Sequence, residues 1–125
     1  MAAEAAGKVL ELKELARVVN TFDVPPGISS AIKQVGLIEL TADEELMATK
    51  RSRQDNVRLA YELAKQSLTE INGNKISIAD GSADKAWNEM SPKLRNLVIR
   101  AYAELHAPPD EEADDFLKSR KARAG

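Results

Sequence analysis

Between Thr41 and Pro109 the chain is punctuated in a fixed order: Thr41-Ala42-Asp43-Glu44, Asp55-Asn56, Asn72-Gly73, Asp80-Gly81, Ser91-Pro92 and Pro108-Pro109. Each of these starts, turns or stops a regular element. Thr41-Ala42-Asp43-Glu44 matches a capping box, in which a Thr hydroxyl and a Glu carboxylate satisfy the free amides of a helix start. Asp43, Glu44 and Glu45 sit where the positive end of the helix dipole favours anions, with Lys50, Arg51 and Arg53 toward the other end. The pattern predicts a short helix that stops near Asp55. Asp55 then caps a second helix running to Leu68. Val57, Ala60, Tyr61, Ala64 and Leu68 recur there at three- and four-residue steps, while Arg58, Glu62, Lys65 and Gln66 face water.

Past Leu68, Asn72-Gly73 lies between alternating apolar positions, and both residues accept positive φ. That reads as a β-hairpin; the competing reading runs the helix to Ile71 and caps it with Gly73. Asp80-Gly81 makes a further turn, with Ser82 as cap of a short helix carrying Ala83, Ala86, Trp87 and Met90, core residues by their spacing. Ser91-Pro92 supplies the N-cap and first position of a last helix with Leu94, Leu97, Val98, Ala101, Tyr102 and Leu105 on one face, closed by Pro108-Pro109. The stripes of Val57–Leu68 and Leu94–Leu105 are expected to pack against each other as the central core.

Outward from this stretch the signals weaken. Residues 2–19 read as a helix through Val9, Leu12, Ala16 and Val19, with a short strand at Val9 to Leu12 as the rival. Asn20 and Pro25-Pro26-Gly27 form a loop, Gly36 is a break, and Ile38-Glu39-Leu40 looks extended. The tail carries an acidic block from Asp110 to Asp115, then Phe116-Leu117, then Lys118, Arg120, Lys121 and Arg123. The expectation is a mainly α, small helical domain with a short β-hairpin around Asn72-Gly73. Its organisation is an N-terminal segment and loop (1–39), a helical core domain (40–109) and a charged C-terminal tail (110–125).

Bulk composition narrows the function classes. The 125 residues suit one domain, and 43% hydrophobic with 30% charged residues is globular. A formal net charge of -2 argues against a dedicated nucleic-acid binder, which needs a basic face. No cysteine is present, so disulfides and thiolate metal sites are excluded. No apolar run is long enough for a membrane span, and Met1 to Gly7 does not resemble a secretory signal.

Catalytic and metal chemistry find little purchase. The single histidine, His106, falls in the last turn of a helix, where the dipole favours its charged form and a structural role suffices. The carboxylates of Asp110, Glu111, Glu112, Asp114 and Asp115 do not follow a calcium loop and lack its glycine, so they read as a solvated run. Ser67, Ser77, Ser82 and Ser91 lie at turns or caps without a histidine partner. Lys50-Arg51-Arg53 and Lys118 to Arg123 lack interleaved aromatics and read as charge balance. No cofactor, no metal and no enzymatic activity are expected.

From Leu40 onward the chain resembles the tail assembly chaperones of long-tailed bacteriophages and prophages. The resemblance is carried by Leu40-Thr41-Ala42-Asp43-Glu44-Glu45-Leu46-Met47, by Ala60-Tyr61-Glu62-Leu63-Ala64-Lys65-Gln66-Ser67, and by Asn72-Gly73. Ala79-Asp80-Gly81, Trp87, the Pro92-Lys93-Leu94-Arg95 start through Ala101-Tyr102, and Phe116-Leu117-Lys118-Ser119 follow in family-like order. The resemblance implies a non-enzymatic protein of the host cytoplasm that binds the apolar, helical tape measure protein, helps recruit tail tube protein and self-associates into a homo-oligomer. The rival classes are a small structural virion protein of the tail or neck and a generic helical regulator. Phe116 and Leu117, with Lys118 and Arg120 beside them, are the candidate partner-binding residues: an apolar pair with a charged rim is what a docking segment needs.

Overall fold

The computed structural model describes residues 17–120. Its organising feature is a strand that buries three consecutive residues. Strand β1 (Asn20–Asp23) runs antiparallel to β2 (Gln34–Leu37), which pairs with β3 (Leu68–Ile71), itself paired with β4 (Asn74–Lys75). Five helices accompany this sheet: α1 (Ala42–Ser52), α2 (Asn56–Ser67), α3 (Ser82–Glu89), α4 (Pro92–His106) and α5 (Asp110–Lys118). The described fold is therefore mixed, helices with a small four-stranded antiparallel sheet, and the mainly α expectation is corrected on this point.

Helices α1, α2 and α4 start where the sequence places them, whereas α5 forms within what the sequence presents as a charged tail. Thr41 accepts from the Glu44 amide and Glu44 reaches back to the Thr41 amide, so the capping box is complete. Asp55 accepts from the amides of Val57 and Arg58, and Ser91 from that of Leu94 ahead of Pro92. Ser82 is the exception. Gly81, at φ 81°, occupies the cap position of α3, while the Ser82 hydroxyl accepts from the Ser77 amide. The α1–α2 connection turns through Arg53 and Gln54, both at positive φ.

Asn72-Gly73 does form the hairpin, with φ of 52° and 80° at the two residues. No loop separates α2 from β3: the helix ends at Ser67 and the strand begins at Leu68. A bulge between Gly36 and Leu37 in the β2–β3 register sets Leu37 opposite Leu68 and Val35 opposite Ile71. The bulge matters because Leu68 and Ile71, three residues apart, would otherwise point to opposite faces.

Gly36 is not a break but an interior residue of β2. A Cβ there would lie 2.8 Å from Val19 Cγ1 and 3.1 Å from the Glu70 Cβ, so only glycine lets these neighbours close over the strand. The strand spans Gln34–Leu37, and Ile38-Glu39-Leu40, expected to be extended, lies just beyond it. The core joins Val24, Val35 and Leu37 to Ala64, Leu68, Trp87, Met90, Leu94 and Val98. Residues 20–37 thus contribute to the same core as residues 40–109, and the boundary at 39/40 divides a continuous sheet. The helix read over residues 2–19 falls largely outside the described residues; Arg17 to Val19 are not helical.

The two helical stripes do meet, α2 against α4; α4 packs by its expected face, with Leu94, Val98, Ala101, Tyr102 and Leu105 in or against the core, whereas α2 leaves part of its stripe uncovered. Val57 is 63% and Tyr61 37% exposed, while Ala64 and Leu68 of the expected stripe are buried and Ser67 joins them. Tyr61 keeps one side on the core, its ring 5.7 Å from that of Trp87. On α4, Leu94 and Val98 are buried while Leu97 is half-buried. The buried Ser67 hydroxyl is satisfied by the Ile38 carbonyl.

Replacing Leu94 by Ala should cost about 2–5 kcal/mol, as for other fully enclosed leucines. Leu97→Ala should cost less, about 1–2 kcal/mol, since that side chain is only partly enclosed. Denaturant midpoints of the two variants check the order; equal losses would contradict this placement of the α4 face.

Asn72 does more than turn the chain. Its Oδ1 accepts from the Lys33 and Gln34 amides at 2.7 and 3.1 Å, and its Nδ2 donates to the Ala31 carbonyl at 2.9 Å. Asn72→Gly keeps the positive φ and removes all three bonds. It should lose about 1–3 kcal/mol and speed hydrogen exchange at residues 31–35, with the β3–β4 turn intact.

Candidate partner-binding surfaces

Three surfaces hold the side chains with the most to offer a partner. The first is α5. The prolines end α4, and the acidic block then lies in the first turn of a new helix, where Asp110, Glu111 and Glu112 meet the positive dipole end. No residue of α5 is buried. Phe116 is 75% and Leu117 67% exposed, more than any other large apolar residues described. Ala113, Phe116, Leu117 and Arg120 follow one another at i, i+3, i+4 and i+7, the spacing of one helix face. The structure thus gathers Phe116, Leu117, Lys118 and Arg120 on one short helix and its end. Lys121 and Arg123 lie outside the described residues.

The second surface is a groove of about 350 Å³ between the β1 segment and α4. Val24, Val35, Leu94 and Val98 form its buried floor. Half-buried Phe22, Leu97 and Ala101 wall it, and exposed Asp23, Arg100 and Glu104 stand on its rim. Sequence reading missed this site because its two sides come from segments some seventy residues apart. The half-burial of Leu97, on a stripe expected to be wholly interior, is the trace it leaves.

The third is the outer side of the α1–α2 hairpin, where Leu46 and Met47 are each 52% exposed. An ionic chain braces this hairpin. Arg51 donates from Nε to Glu62 at 2.9 Å and from Nη2 to Gln66 at 2.6 Å, and Lys65 bridges Glu62 at 2.9 Å and Asp84 of α3 at 2.8 Å. Burial works against the charged Lys65 ammonium, but its two carboxylate partners outweigh this and raise its pKa. Arg51, read from sequence as part of a basic cluster, is thereby committed to holding α1 on α2.

The groups with chemical potential are occupied structurally. His106 Nδ1 lies 2.8 Å from the Tyr102 carbonyl, and Nε2 accepts from the Leu40 amide at 2.9 Å. The ring therefore bridges two backbone groups, a structural role. Ser77 accepts from the Asp80 amide, and Ser82 donates to the Asp80 carboxylate. Those hydrogen bonds, from the Ser82 side chain first, lower the Asp80 pKa. Among the described residues no group of three or more His, Asp or Glu converges as a metal site, and no helix is long and apolar enough to cross a membrane. No family model matches the chain, and no curated protein and no solved structure is similar to it.

Glu44 sits at the joint between the start of α1 and the chain before β1. It accepts from the Thr41 amide at 2.9 Å and from Arg17 Nη2 at 2.8 and 3.0 Å. Burial pushes the carboxyl up, but the Thr41 amide and the Arg17 guanidinium together hold it below its ordinary value of 4.5. A depressed folded-state pKa stabilises above the ordinary value, and that stabilisation is lost as pH falls through the folded one. The advantage of the wild type over Glu44→Gln should therefore be full at pH 7 and should vanish below the carboxylate range. Urea midpoints measured from neutral to about pH 3 check this; a constant gap between the two proteins would contradict it.

Proposed function

We propose that this chain is a non-enzymatic tail assembly chaperone of phage or prophage origin. It binds the apolar, helical tape measure protein in the host cytoplasm, keeps it in solution, and helps recruit tail tube subunits. The observation that carries the reading is the uncovered apolar pair Phe116-Leu117 on α5, flanked by Lys118 and Arg120. A lone folded domain gains nothing by leaving two adjacent large apolar side chains in water, whereas a chaperone of apolar helices needs such a surface. The order of capping box, α2, Asn72-Gly73 hairpin, Trp87 and α4 that carries the family resemblance adds to this support. His106 and the turn serines, with their polar atoms committed to backbone groups and to Asp80, leave a binding role as the simplest one.

Co-expression with the tape measure protein encoded beside it tests the proposal. The wild type should bring the tape measure protein into the soluble fraction and co-purify with it. Phe116→Asp combined with Leu117→Asp should reduce the captured amount about tenfold or more, as expected for removal of two apolar anchors. A tape measure protein equally insoluble with and without this chain would overturn the proposal. Recovery of the chain as a component of purified particles would assign it to the structural virion proteins instead.

A further inference from the structure

We propose that Asn72-Gly73 is a self-modification site: its asparagine converts spontaneously to isoaspartate or aspartate and thereby releases, one way, the latch between the hairpin and residues 31–34. The inference is independent of the tail-assembly reading. The chemistry needs only water. The deprotonated Gly73 nitrogen attacks Asn72 Cγ; the N–Cγ bond forms, the Cγ–Nδ2 bond breaks, and Nδ2 leaves as ammonia. Water then opens the five-membered imide. Cleavage between the nitrogen and Cγ gives aspartate, and cleavage between the nitrogen and the Asn72 backbone carbonyl carbon gives isoaspartate, with the chain now running through Cγ.

Only at this asparagine does the sequence offer an unshielded nucleophile. Asn20, Asn56, Asn74, Asn88 and Asn96 precede Thr, Val, Lys, Glu and Leu, whose side chains crowd the next backbone nitrogen. Gly73 has no side chain, and nothing lies within 4 Å of where a Cβ would stand. Its nitrogen donates no hydrogen bond among the described residues, and both residues of the pair are exposed. The nucleophile is therefore free and open to solvent.

The electrophile is held. Asn72 Oδ1 accepts from the Lys33 and Gln34 amides, and Nδ2 donates to the Ala31 carbonyl. Cγ cannot swing onto the Gly73 nitrogen without giving up these three bonds. Leaving group and latch are one amide, so the folded chain reacts only in proportion to the time the latch stands open.

Conversion removes the latch permanently. In isoaspartate the free carboxylate sits directly on Cα, one carbon shorter than the amide it replaces, and falls short of residues 31–34. In aspartate an oxygen takes the place of Nδ2 opposite the Ala31 carbonyl, so two acceptors face each other. The loosened residues lead into β2, with Ile32 packed against the core and Val35 inside it. Either product also adds one negative charge to the exposed turn.

The purified full chain tests this. Anion exchange separates the converted form by its added charge, and mass spectrometry of the Asn72 peptide locates the change. In urea high enough to unfold the chain, conversion should occur at Asn72 and not at Asn74. The folded chain should convert at least about tenfold more slowly, because the bonds to Asn72 must open first. In sub-denaturing urea its rate should rise in parallel with hydrogen exchange of the Lys33 and Gln34 amides. Lys33→Pro deletes the donor at 2.7 Å, keeps the carbonyl that accepts from the Val24 amide, and leaves Asn72-Gly73 untouched. It should speed conversion of the folded chain about fivefold; if this variant does not fold, the urea series on the wild type decides alone. The separated converted form should exchange faster at Lys33 and Gln34, with α4 unchanged. A folded chain that converts as fast as the unfolded one, a rate that does not follow exchange at residues 33 and 34, or a converted form whose latch residues exchange as before would each overturn the proposal.

Discussion

The pairing of β2 with β3 is the contact on which the rest of this molecule depends. Leu37 and Leu68 face each other across it, both essentially inaccessible to water, and both belong to the core that Val24, Val35, Trp87, Leu94 and Val98 complete. Leu68 is also the residue at which α2 becomes β3 without a linker, so the position of the sheet determines the direction of that helix. Gly36 permits the approach of Val19 and Glu70, and the bulge beside it keeps Leu37, Leu68 and Ile71 working for one hydrophobic face. Had β2 carried any side chain at position 36, the strand and its cover would have to separate.

Around this joint, polar side chains act as long-range fasteners. Asn72 holds residues 31–34 against the hairpin it turns, His106 ties the end of α4 to Leu40, and Ser67 answers the Ile38 carbonyl. Each lies at an element boundary, where backbone groups lack partners within the element itself. The same residues are those a chemist would scan for catalysis in a chain with one histidine. Their engagement with backbone explains why the surface chemistry of this protein is one of apolar faces and charged rims.

That distribution leaves α5 as the outlier. Leu46, Met47 and Val57 are also more than half exposed, but α5 holds the two most exposed large apolar side chains described, adjacent in sequence and after a double proline. Such a helix is tolerated in an isolated chain because acidic residues at its start satisfy the dipole. It becomes useful only when a partner surface covers it.

Local chemistry alone identified the starts of α1, α2 and α4, the Asn72-Gly73 turn, and Phe116-Leu117 as an apolar pair set apart by charges, but neither the cap of α3 nor the existence of α5. These signals are short-range: a cap, a positive φ or a proline acts within four residues of itself. Tertiary structure decided what depends on segments meeting across the chain. It made Gly36 a packing glycine and not a break, turned Val57 and Tyr61 outward, and added β1 and β2 to a sheet that four-residue strands without alternation could not announce. The groove belongs to the same class, since its floor exists only once β2 lies under α4. Periodicity names the apolar face of an element, but how much of that face is covered is set by neighbours that no local pattern encodes.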